Sequence, residues 1–175
     1  MSIEQPEITH KTVEPLLMAG IRARGKFEDC GQYFKRLGKK FGFKICGPAF
    51  MLYWDEEYKA DDADYEVCMS IRKGEGDDEI SVREFPGGQC VSLMHFGPYE
   101  NLKESYDRIL CYCHDNEINI YSPIREVYLK GPGMIFKGNP KKYRTEIQIF
   151  YTDCEQSNGE QSCEDHSQTD HTTND

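Results

Sequence analysis

The sequence predicts an α+β fold in which a β-α-β-β unit is used twice, with antiparallel sheets and one long helix per unit. Strand-like and helix-like patterns follow one another in the same order in both halves of the chain, and corresponding residues recur at a nearly constant offset. The chain has 175 residues, 38% of them hydrophobic and 12% aromatic. This is enough for a packed interior, so the composition argues against global disorder.

The first half contains the four elements of one unit. Residues 16–24 (LLMAGIRAR) predict a strand that ends at Gly25. Residues 27–42 predict a helix because Phe27, Phe34, Leu37 and Phe41 are spaced along one face and Gly42 follows. Residues 48–55 and 65–72 predict two further strands, and the polar stretch 73–79 predicts a linker.

The second half repeats this order. Residues 89–96 predict a strand before Gly97, and residues 99–116 predict a helix. The apolar stripe of that helix consists of Tyr99, Leu102, Tyr106, Ile109, Leu110 and Cys113. Residues 123–130 and 143–151 predict the two closing strands.

Individual residues support an internal repeat. Gly25 to Glu28 corresponds to Gly97 to Glu100, an offset of 72 residues, and Tyr53 corresponds to Tyr128, an offset of 75. We expect module one over about residues 8–72 and module two over about residues 80–151, related by an approximate two-fold axis. Neither module is large enough to bury both faces of its own sheet, so the two should pack together within a domain spanning residues 1–151. A cleft between them is a natural place for a ligand.

The charge is concentrated at the C-terminal end. The net charge is −10, but residues 152–175 hold seven acidic residues and no Lys or Arg. Without these seven, 24 acidic residues stand against 21 basic ones, a net charge of about −3. We expect residues 152–175 to be an acidic disordered tail. The chain lacks a basic stripe that could neutralise phosphates, so we expect no direct binding to nucleic acid.

Membrane, metal and cofactor signals are weak. The chain has no apolar run of signal-peptide or membrane-spanning length, which predicts a cytoplasmic protein without a membrane partner. Its eight cysteines include no C-x2-C pair, so we expect no metal site and no cofactor. A loose zinc-knuckle spacing in the tail is the weaker alternative, formed by Cys154, Cys163, His166 and His171.

Three segments together resemble a known family. They are the run His95-Phe96-Gly97-Pro98-Tyr99-Glu100, the pattern Pro123-x2-Glu126-Val127-Tyr128, and the closing Glu146-Ile147. Over about residues 8–151 the chain resembles the GyrI-like small-molecule-binding family, which includes DNA gyrase inhibitor-like proteins and effector-binding domains of multidrug-sensing regulators. The resemblance implies two β-α-β-β modules around a cleft lined by aromatics, with Glu126 as its central carboxylate. A sensing role would need a separate regulator or gyrase-type protein partner, because the sequence has no helix-turn-helix segment.

Alternation along the strands selects the candidate site residues. If Val67, Ile147 and Val127 face the helices, their neighbours in each strand face the cleft. We also expect the turn-rich loop tip at residues 134–136 either to cover the cleft or to tuck against its own module. The predicted ligand-binding residues are Glu126, Tyr128, Tyr53, Met51, Glu66, Glu146, Phe150 and Phe136.

Several of these residues allow a structural interpretation as well. A mid-strand glutamate is commonly a solvated surface residue, and only the resemblance favours a ligand contact for Glu126. Glu66 and Glu146 could instead form salt bridges with Arg125 or Arg144. The aromatic residues could be plain packing at the interface between modules. His95, at a strand end, could carry protons but is more typical of a hydrogen-bonded structural histidine.

The sequence therefore supports more than one function. The first is binding of amphipathic, cationic or aromatic small molecules for sequestration, sensing or detoxification. The alternative, which the resemblance implies, is a hydrolase that opens reactive cyclopropane-containing genotoxins. Its catalytic residues would be Glu126 as general base and Tyr128 as proton donor. Whether the protein is an enzyme stays open at this point. A third function, contact with another protein through its surface, has only the loop tip as a candidate.

Overall fold

The computed structural model describes residues 6–55, 62–131 and 138–152, and these form eight strands and two helices. Three strands and a helix come from the first part of the chain: β1 (Ile8–Val13), β2 (Leu16–Gly25), α1 (Cys30–Phe41) and β3 (Ile45–Tyr53). The middle of the chain contributes β4 (Ala63–Ile71), β5 (Ser81–Phe85) and β6 (Gly88–Phe96). The last elements are α2 (Leu102–Asp115), β7 (Ile120–Lys130) and β8 (Arg144–Tyr151).

The described strands form one antiparallel sheet in the order β1-β6-β8-β7-β3-β4-β2-β5. The predicted α+β class, with one long helix per half, is confirmed. The two halves are joined at a seam where β3 of the first half pairs with β7 of the second, with Met51 opposite Glu126. The sheet is thus continuous, and the approximate two-fold axis between the halves stays a prediction.

The two edge strands were not predicted from the sequence. β1 leaves its own half and pairs with β6, while β5 pairs with β2 of the first half. Each edge strand therefore crosses to the other half of the chain. Neither segment has a strong local strand pattern, so each becomes a strand through pairing with residues that are distant in the sequence.

One face of the sheet carries both helices, and we call it the helix face. Leu37 and Phe41 of α1 are buried against a cluster that includes Val67. Ile109 and Cys113 of α2 are buried with the aliphatic residues of β6 and β8: Val91, Leu93, Ile147 and Ile149. Neither helix has the length and apolar character that a membrane crossing requires, as far as the described residues go.

The opposite face, which we call the helix-free face, is also buried. Phe50, Val127 and Phe150 are at most 4% exposed and belong to one cluster. The ring of Phe85, on edge strand β5, lies 5.5 Å from the ring of Phe150, although β5 and β8 are far apart in the strand order. The sheet therefore curls so that this face becomes a second interior.

The curling explains an error in the sequence-based assignment of faces. Met51, Glu126 and Ile147 stand opposite one another across β3, β7 and β8, so all three belong to the helix face. The expectation that Val127 faces the helices is wrong, because it packs in the helix-free core. With apolar side chains buried on both faces, alternation marks the two sides of a strand but does not say which side meets a helix.

Candidate functional site

The side chain of Glu126 lies on the helix face at the seam between β7 and β3, and it is only 5% exposed. Three tyrosine hydroxyls donate hydrogen bonds to its carboxylate. Tyr106 donates to Oε1 at 2.5 Å, and Tyr128 and Tyr53 donate to Oε2 at 2.8 and 3.2 Å. We call these four residues the Glu126 cluster.

Both halves of the chain build the Glu126 cluster. Tyr53 is the last residue of β3, and Tyr128 lies two residues after Glu126 on the same face of β7. The hydroxyls of Tyr53 and Tyr128 are 3.1 Å apart. Tyr106 approaches from α2, whose buried residue Ile109 fixes the helix on the sheet. The carboxylate is thus held where a helix covers the seam between the halves.

Further aromatic rings surround the cluster. The ring of Phe27 lies 5.2 Å from that of Tyr53, and the rings of Phe34 and Tyr99 lie 6.0 and 5.8 Å from that of Tyr128. Most of these contacts meet edge to face, a favourable arrangement for aromatic pairs. A carboxylate surrounded by aromatic rings is unusual in a protein interior, because ionised groups are rarely buried without a partner of opposite charge.

Burial decides the electrostatics of Glu126. Desolvation raises the pKa of its carboxyl, while the hydrogen bonds from Tyr106, Tyr128 and Tyr53 oppose the rise and only partly cancel it. Among the described residues, no Lys, Arg or His forms an ion pair with Glu126. Burial, together with the Glu126 charge, also holds the pKa values of Tyr53 and Tyr128 well above the usual range, so both hydroxyls stay neutral donors.

Two buried polar or sulfur-bearing residues adjoin the cluster. The sulfur of Met51 lies 3.4 Å from the Tyr53 hydroxyl, whose single hydrogen is donated to Glu126. Thr145 stands opposite Tyr128 in the β7–β8 pairing and is fully buried, and its Oγ1 has no hydrogen-bond partner among the described residues. Thr145 is not among the residues that the strand pattern predicts for the site.

The structure brings together only part of the predicted site. Glu126, Tyr128, Tyr53 and Met51 lie close to one another, as expected. Three other predicted residues, Glu66, Glu146 and Phe150, lie on the helix-free face, so the prediction of one common lining surface is wrong. Phe136, with the rest of the predicted loop tip, lies outside the described residues.

Glu66 and Glu146 have partners of their own. Arg83 donates two hydrogen bonds of 2.6 Å to the Glu66 carboxylate. Lys11 and Ser92 donate to Oε1 of Glu146 at 2.5 and 2.6 Å. Both glutamates thus form salt bridges, but the expected partners, Arg125 and Arg144, are wrong: the cations are Arg83 and Lys11 of the edge strands.

His95 has a structural environment. Its Nδ1 lies 2.9 Å from the Ser105 hydroxyl and its Nε2 lies 3.1 Å from the Pro98 carbonyl oxygen. Both ring nitrogens are thereby engaged by α2 and by the turn that precedes it.

Metal ligation has no candidate in the part of the chain that the structure describes, where no three His, Cys, Asp or Glu side chains are grouped for it. The four tail residues with zinc-knuckle spacing, from Cys154 to His171, lie outside that part.

The carboxylate of Glu126 is withdrawn from solvent: the residue is 5% exposed, and three tyrosine hydroxyls are hydrogen-bonded to it. The two open depressions that we identify lie elsewhere, one lined by Lys40, Lys44 and Lys73 with neighbouring residues, the other by Arg22, Glu66 and Arg83 with theirs. A ligand that contacts the Glu126 carboxylate would lie against the aromatic side chains around it, whose rotamers change far more easily than the strands that carry them.

A sequence model of the GyrI-like small molecule binding domain family matches residues 6–151. No curated protein sequence matches the chain.

Among solved structures, the C-terminal domain of EcmrR has 23% sequence identity and a TM-score of 0.73, and the match covers 84% of this chain and 98% of that domain. In the complex of EcmrR with DNA, the match spans only 57% of the EcmrR chain, with a TM-score of 0.74. A hydrolase from Listeria innocua (12% identity, TM-score 0.61) is matched over 86% of this chain and 94% of the hydrolase. SAV2435 bound to tetraphenylphosphonium (14% identity, TM-score 0.57) is matched over 87% of this chain and 98% of SAV2435. These likenesses establish a common fold.

Proposed function

This chain belongs to the GyrI-like family of small-molecule-binding domains, and we propose that it binds amphipathic organic cations at the Glu126 cluster. One observation carries the proposal. Glu126 is buried among aromatic rings, and it has no cationic partner among the described residues. A cationic ligand would supply the missing charge and so repay the desolvation of the carboxylate.

The hydrogen bonds to Glu126 favour a particular kind of cation. An ionised carboxylate offers about four acceptor positions, and tyrosine hydroxyls already occupy three of them. A primary ammonium group would bring three donors to a site with little acceptor capacity left. A quaternary or delocalised cation brings no N–H donor and can instead lie against the rings of Tyr53, Tyr128 and Tyr99. The cluster is therefore suited to bulky aromatic cations of permanent charge.

The similarity to SAV2435 supports this choice. That protein shares the fold and has been solved with tetraphenylphosphonium, a permanent cation with four aromatic rings and no hydrogen-bond donor. The same compound is the natural first probe for this chain.

Titration calorimetry with tetraphenylphosphonium tests the proposal. We expect the wild-type protein to bind it, and to bind the neutral triphenylphosphine oxide much more weakly. Glu126→Gln should abolish most of that preference, because it removes the charge and keeps the shape of the side chain. Glu104→Gln removes the same charge from the exposed side of α2 and serves as the matched control. Equal affinity of the wild type for the cation and the neutral compound would refute the proposal.

A second candidate function rests on the raised pKa of Glu126 together with the 2.8 Å hydrogen bond from Tyr128. A carboxylate of raised pKa is a stronger base, and Tyr128 is a neutral proton donor beside it. In a hydrolase that opens an activated cyclopropane, Glu126 would take a proton from water as the water oxygen bonds to a ring carbon. The electron pair of the broken carbon–carbon bond would move to the conjugated carbonyl oxygen, which takes a proton from Tyr128. Glu126 would then return its proton to Tyr128.

Mass spectrometry separates the two candidates. Incubation with a cyclopropane-bearing alkylating agent should give unchanged compound if the protein only binds. A product heavier by one water, lost in both Glu126→Gln and Tyr128→Phe, would establish the hydrolase.

The comparison with EcmrR bears on the partners of this chain. The match covers 98% of the EcmrR C-terminal domain. It covers only 57% of the EcmrR chain in the complex with DNA, which is longer. We propose that the domain acts in the cytoplasm and that any effect on DNA passes through a separate regulator or gyrase-type partner.

A further inference from the structure

Arg125 precedes Glu126 in β7 and points to the helix-free face, where it is 5% exposed. Within the described residues its guanidinium makes one hydrogen bond, from Nη1 to Oε1 of Gln148 at 3.2 Å. The Nε atom is buried and has no partner, and no carboxylate among the described residues lies within salt-bridge distance of the guanidinium.

Aromatic rings form the immediate surroundings of this guanidinium. Its central carbon lies 4.2 Å from the ring centre of Phe50 and 5.3 Å from that of Phe85. The ring of Phe150 adjoins that of Phe85 at 5.5 Å. Burial lowers the pKa of Arg125, yet a guanidinium stays protonated in proteins. A permanent cation is thus held inside the protein, and its buried Nε–H group has no partner among the described residues.

The nearby carboxylates cannot serve Arg125, because each is held by another cation. Glu66 is paired in bidentate fashion with Arg83, and Glu146 is paired with Lys11. The first pair is fixed by a glycine: a Cβ at Gly20 would lie 2.1 Å from Oε1 of Glu66, so only glycine lets that carboxylate cross β2. Each edge strand supplies the cation for one glutamate, and the cation at the centre is left over.

We infer that Arg125 forms the base of a second ligand site, on the helix-free face, that takes a small aromatic carboxylate. A carboxylate matches the planar fork of a guanidinium and can accept two parallel hydrogen bonds from it. The N–H groups of Arg125 supply those donors, and the phenylalanine rings supply apolar walls for a flat ring. Neither an organic cation nor a neutral hydrocarbon would satisfy this arrangement, so the two faces of the sheet select ligands of opposite charge.

Open space exists on the same face. A depression of about 470 Å³ lies over β4 and β2, two strands away from Arg125, and it is lined by Gly20, Arg22, Glu66, Glu79, Ser81 and Arg83. In the sheet register, Leu52 of β3 separates Glu66 from Arg125. Leu52 is itself 1% exposed, so a ligand entering from the depression would have to displace its side chain to reach the guanidinium.

Benzoate is the probe, with the neutral benzamide as its matched compound and acetate as a control for the carboxylate alone. The first measurement uses the wild-type protein labelled with ¹⁵N and follows the side-chain Nε–H resonance of Arg125, assigned by its absence in Arg125→Lys. We expect benzoate to shift this resonance in a saturable manner and benzamide to leave it unchanged. If Arg125 bonds only to water, benzoate will shift nothing, and the inference is overturned.

The second measurement compares affinities for benzoate by calorimetry. Arg125→Lys keeps the charge but loses the fork, and Arg125→Met keeps the length without the charge. Both should weaken benzoate binding at least about tenfold, the scale of a lost charge-assisted hydrogen bond. Arg72→Met removes an exposed cation and should leave binding unchanged. Equal loss in Arg72→Met and Arg125→Met would mean a general charge effect and would overturn the inference. Should both Arg125 variants fail to fold, the wild-type resonance decides alone, assigned in protein labelled with ¹³C and ¹⁵N through its scalar correlations to the Arg125 backbone.

The Glu126→Gln variant separates this site from the proposed cation site. It should bind benzoate as the wild type does, because Glu126 lies on the other face of β7. Benzoate binding without tetraphenylphosphonium binding would sustain the Arg125 site and refute the proposed function, and the reverse result would do the opposite.

Discussion

Replacing Glu126 with glutamine is the perturbation that the structure defines best. Glutamine keeps the size and planar shape of the side chain and removes its charge. The three tyrosine hydroxyls can still surround it, since the amide oxygen accepts hydrogen bonds and its NH₂ group can donate to a hydroxyl. The loss of affinity for a cation should therefore report the charge rather than a change of shape.

The magnitude follows from the distances in the cluster. The tyrosine oxygens lie between 2.5 and 3.2 Å from the carboxylate oxygens, so a bulky cation is held behind them. With its charge centre at about 6 Å and an effective dielectric constant of about 20, Coulomb's law gives about 3 kcal/mol, or about a hundredfold loss in affinity.

The assay is calorimetric titration of tetraphenylphosphonium at low and at physiological salt. A buried charge pair is screened weakly by ions, so the ratio between wild type and Glu126→Gln should change little with salt. Glu104→Gln should bind as the wild type does. A loss of less than about threefold in Glu126→Gln, or a similar loss in Glu104→Gln, would refute the reasoning, since only long-range surface charge would then be at work.

Three further predictions concern the same elements. Because the pKa of Glu126 is raised in the folded protein, its contribution to stability is present below the ordinary pKa of a glutamate and is lost as the pH rises through the folded value. Glu126→Gln should therefore be more stable than the wild type at pH 8, by about 1 kcal/mol in urea unfolding. A less stable variant would contradict the desolvation argument. Tyr106→Phe removes the 2.5 Å hydrogen bond to Glu126 and should raise the pKa of that carboxyl further. Calorimetry at pH 7 should then show tetraphenylphosphonium binding weakened by about three- to tenfold. Unchanged affinity would place the ligand elsewhere. Gly20→Ala should drive the Glu66 carboxylate away from Arg83 and lower the free energy of unfolding by about 3 kcal/mol. Gly31→Ala is the control: a Cβ there has open space within α1, and the change should raise the free energy of unfolding by about 0.5–1 kcal/mol. Similar effects of both changes on urea unfolding would argue against a stabilising pair between Glu66 and Arg83.

The elements with strong local periodicity were predictable from the sequence. The helix expected over residues 27–42 is α1 (Cys30–Phe41) preceded by a short 3-10 turn, Phe27–Asp29. The helix expected over residues 99–116 is α2 with a matching 3-10 turn. In each case the first turn of the predicted helix forms the tighter turn. The apolar spacing identifies the side that packs, but it does not fix the hydrogen-bonding pattern of the first turn.

The edge strands could not be predicted in the same way. β5 reads Ser-Val-Arg-Glu-Phe, in which only Val82 and Phe85 are apolar, and it forms because β2 offers unpaired backbone groups. Phe85 nevertheless packs in the buried cluster on the helix-free face. Contacts between residues distant in sequence leave little trace in a local pattern, so the curl of the sheet was not visible beforehand.

The site was only partly predictable for the same reason. Glu126 and Tyr128 were selected together because they lie two residues apart in one strand, and that relation holds on whichever face they lie. Tyr106 was assigned to the apolar stripe of α2, where its ring indeed packs, and its hydroxyl was overlooked. A tyrosine in such a stripe carries a polar end that needs a partner when buried, and this was the available signal.

The central claim is that the ionised form of Glu126 receives a cation, and the pKa of this one carboxyl group tests it most directly. The carboxyl carbon of Glu126 can be followed by ¹³C NMR as the pH is raised, first in the free protein and then with saturating tetraphenylphosphonium. We expect a pKa above the ordinary glutamate value in the free protein and a clear fall when the cation is bound, because binding and ionisation favour each other. A pKa that stays the same with and without bound tetraphenylphosphonium would show that the cation lies elsewhere and would contradict the account.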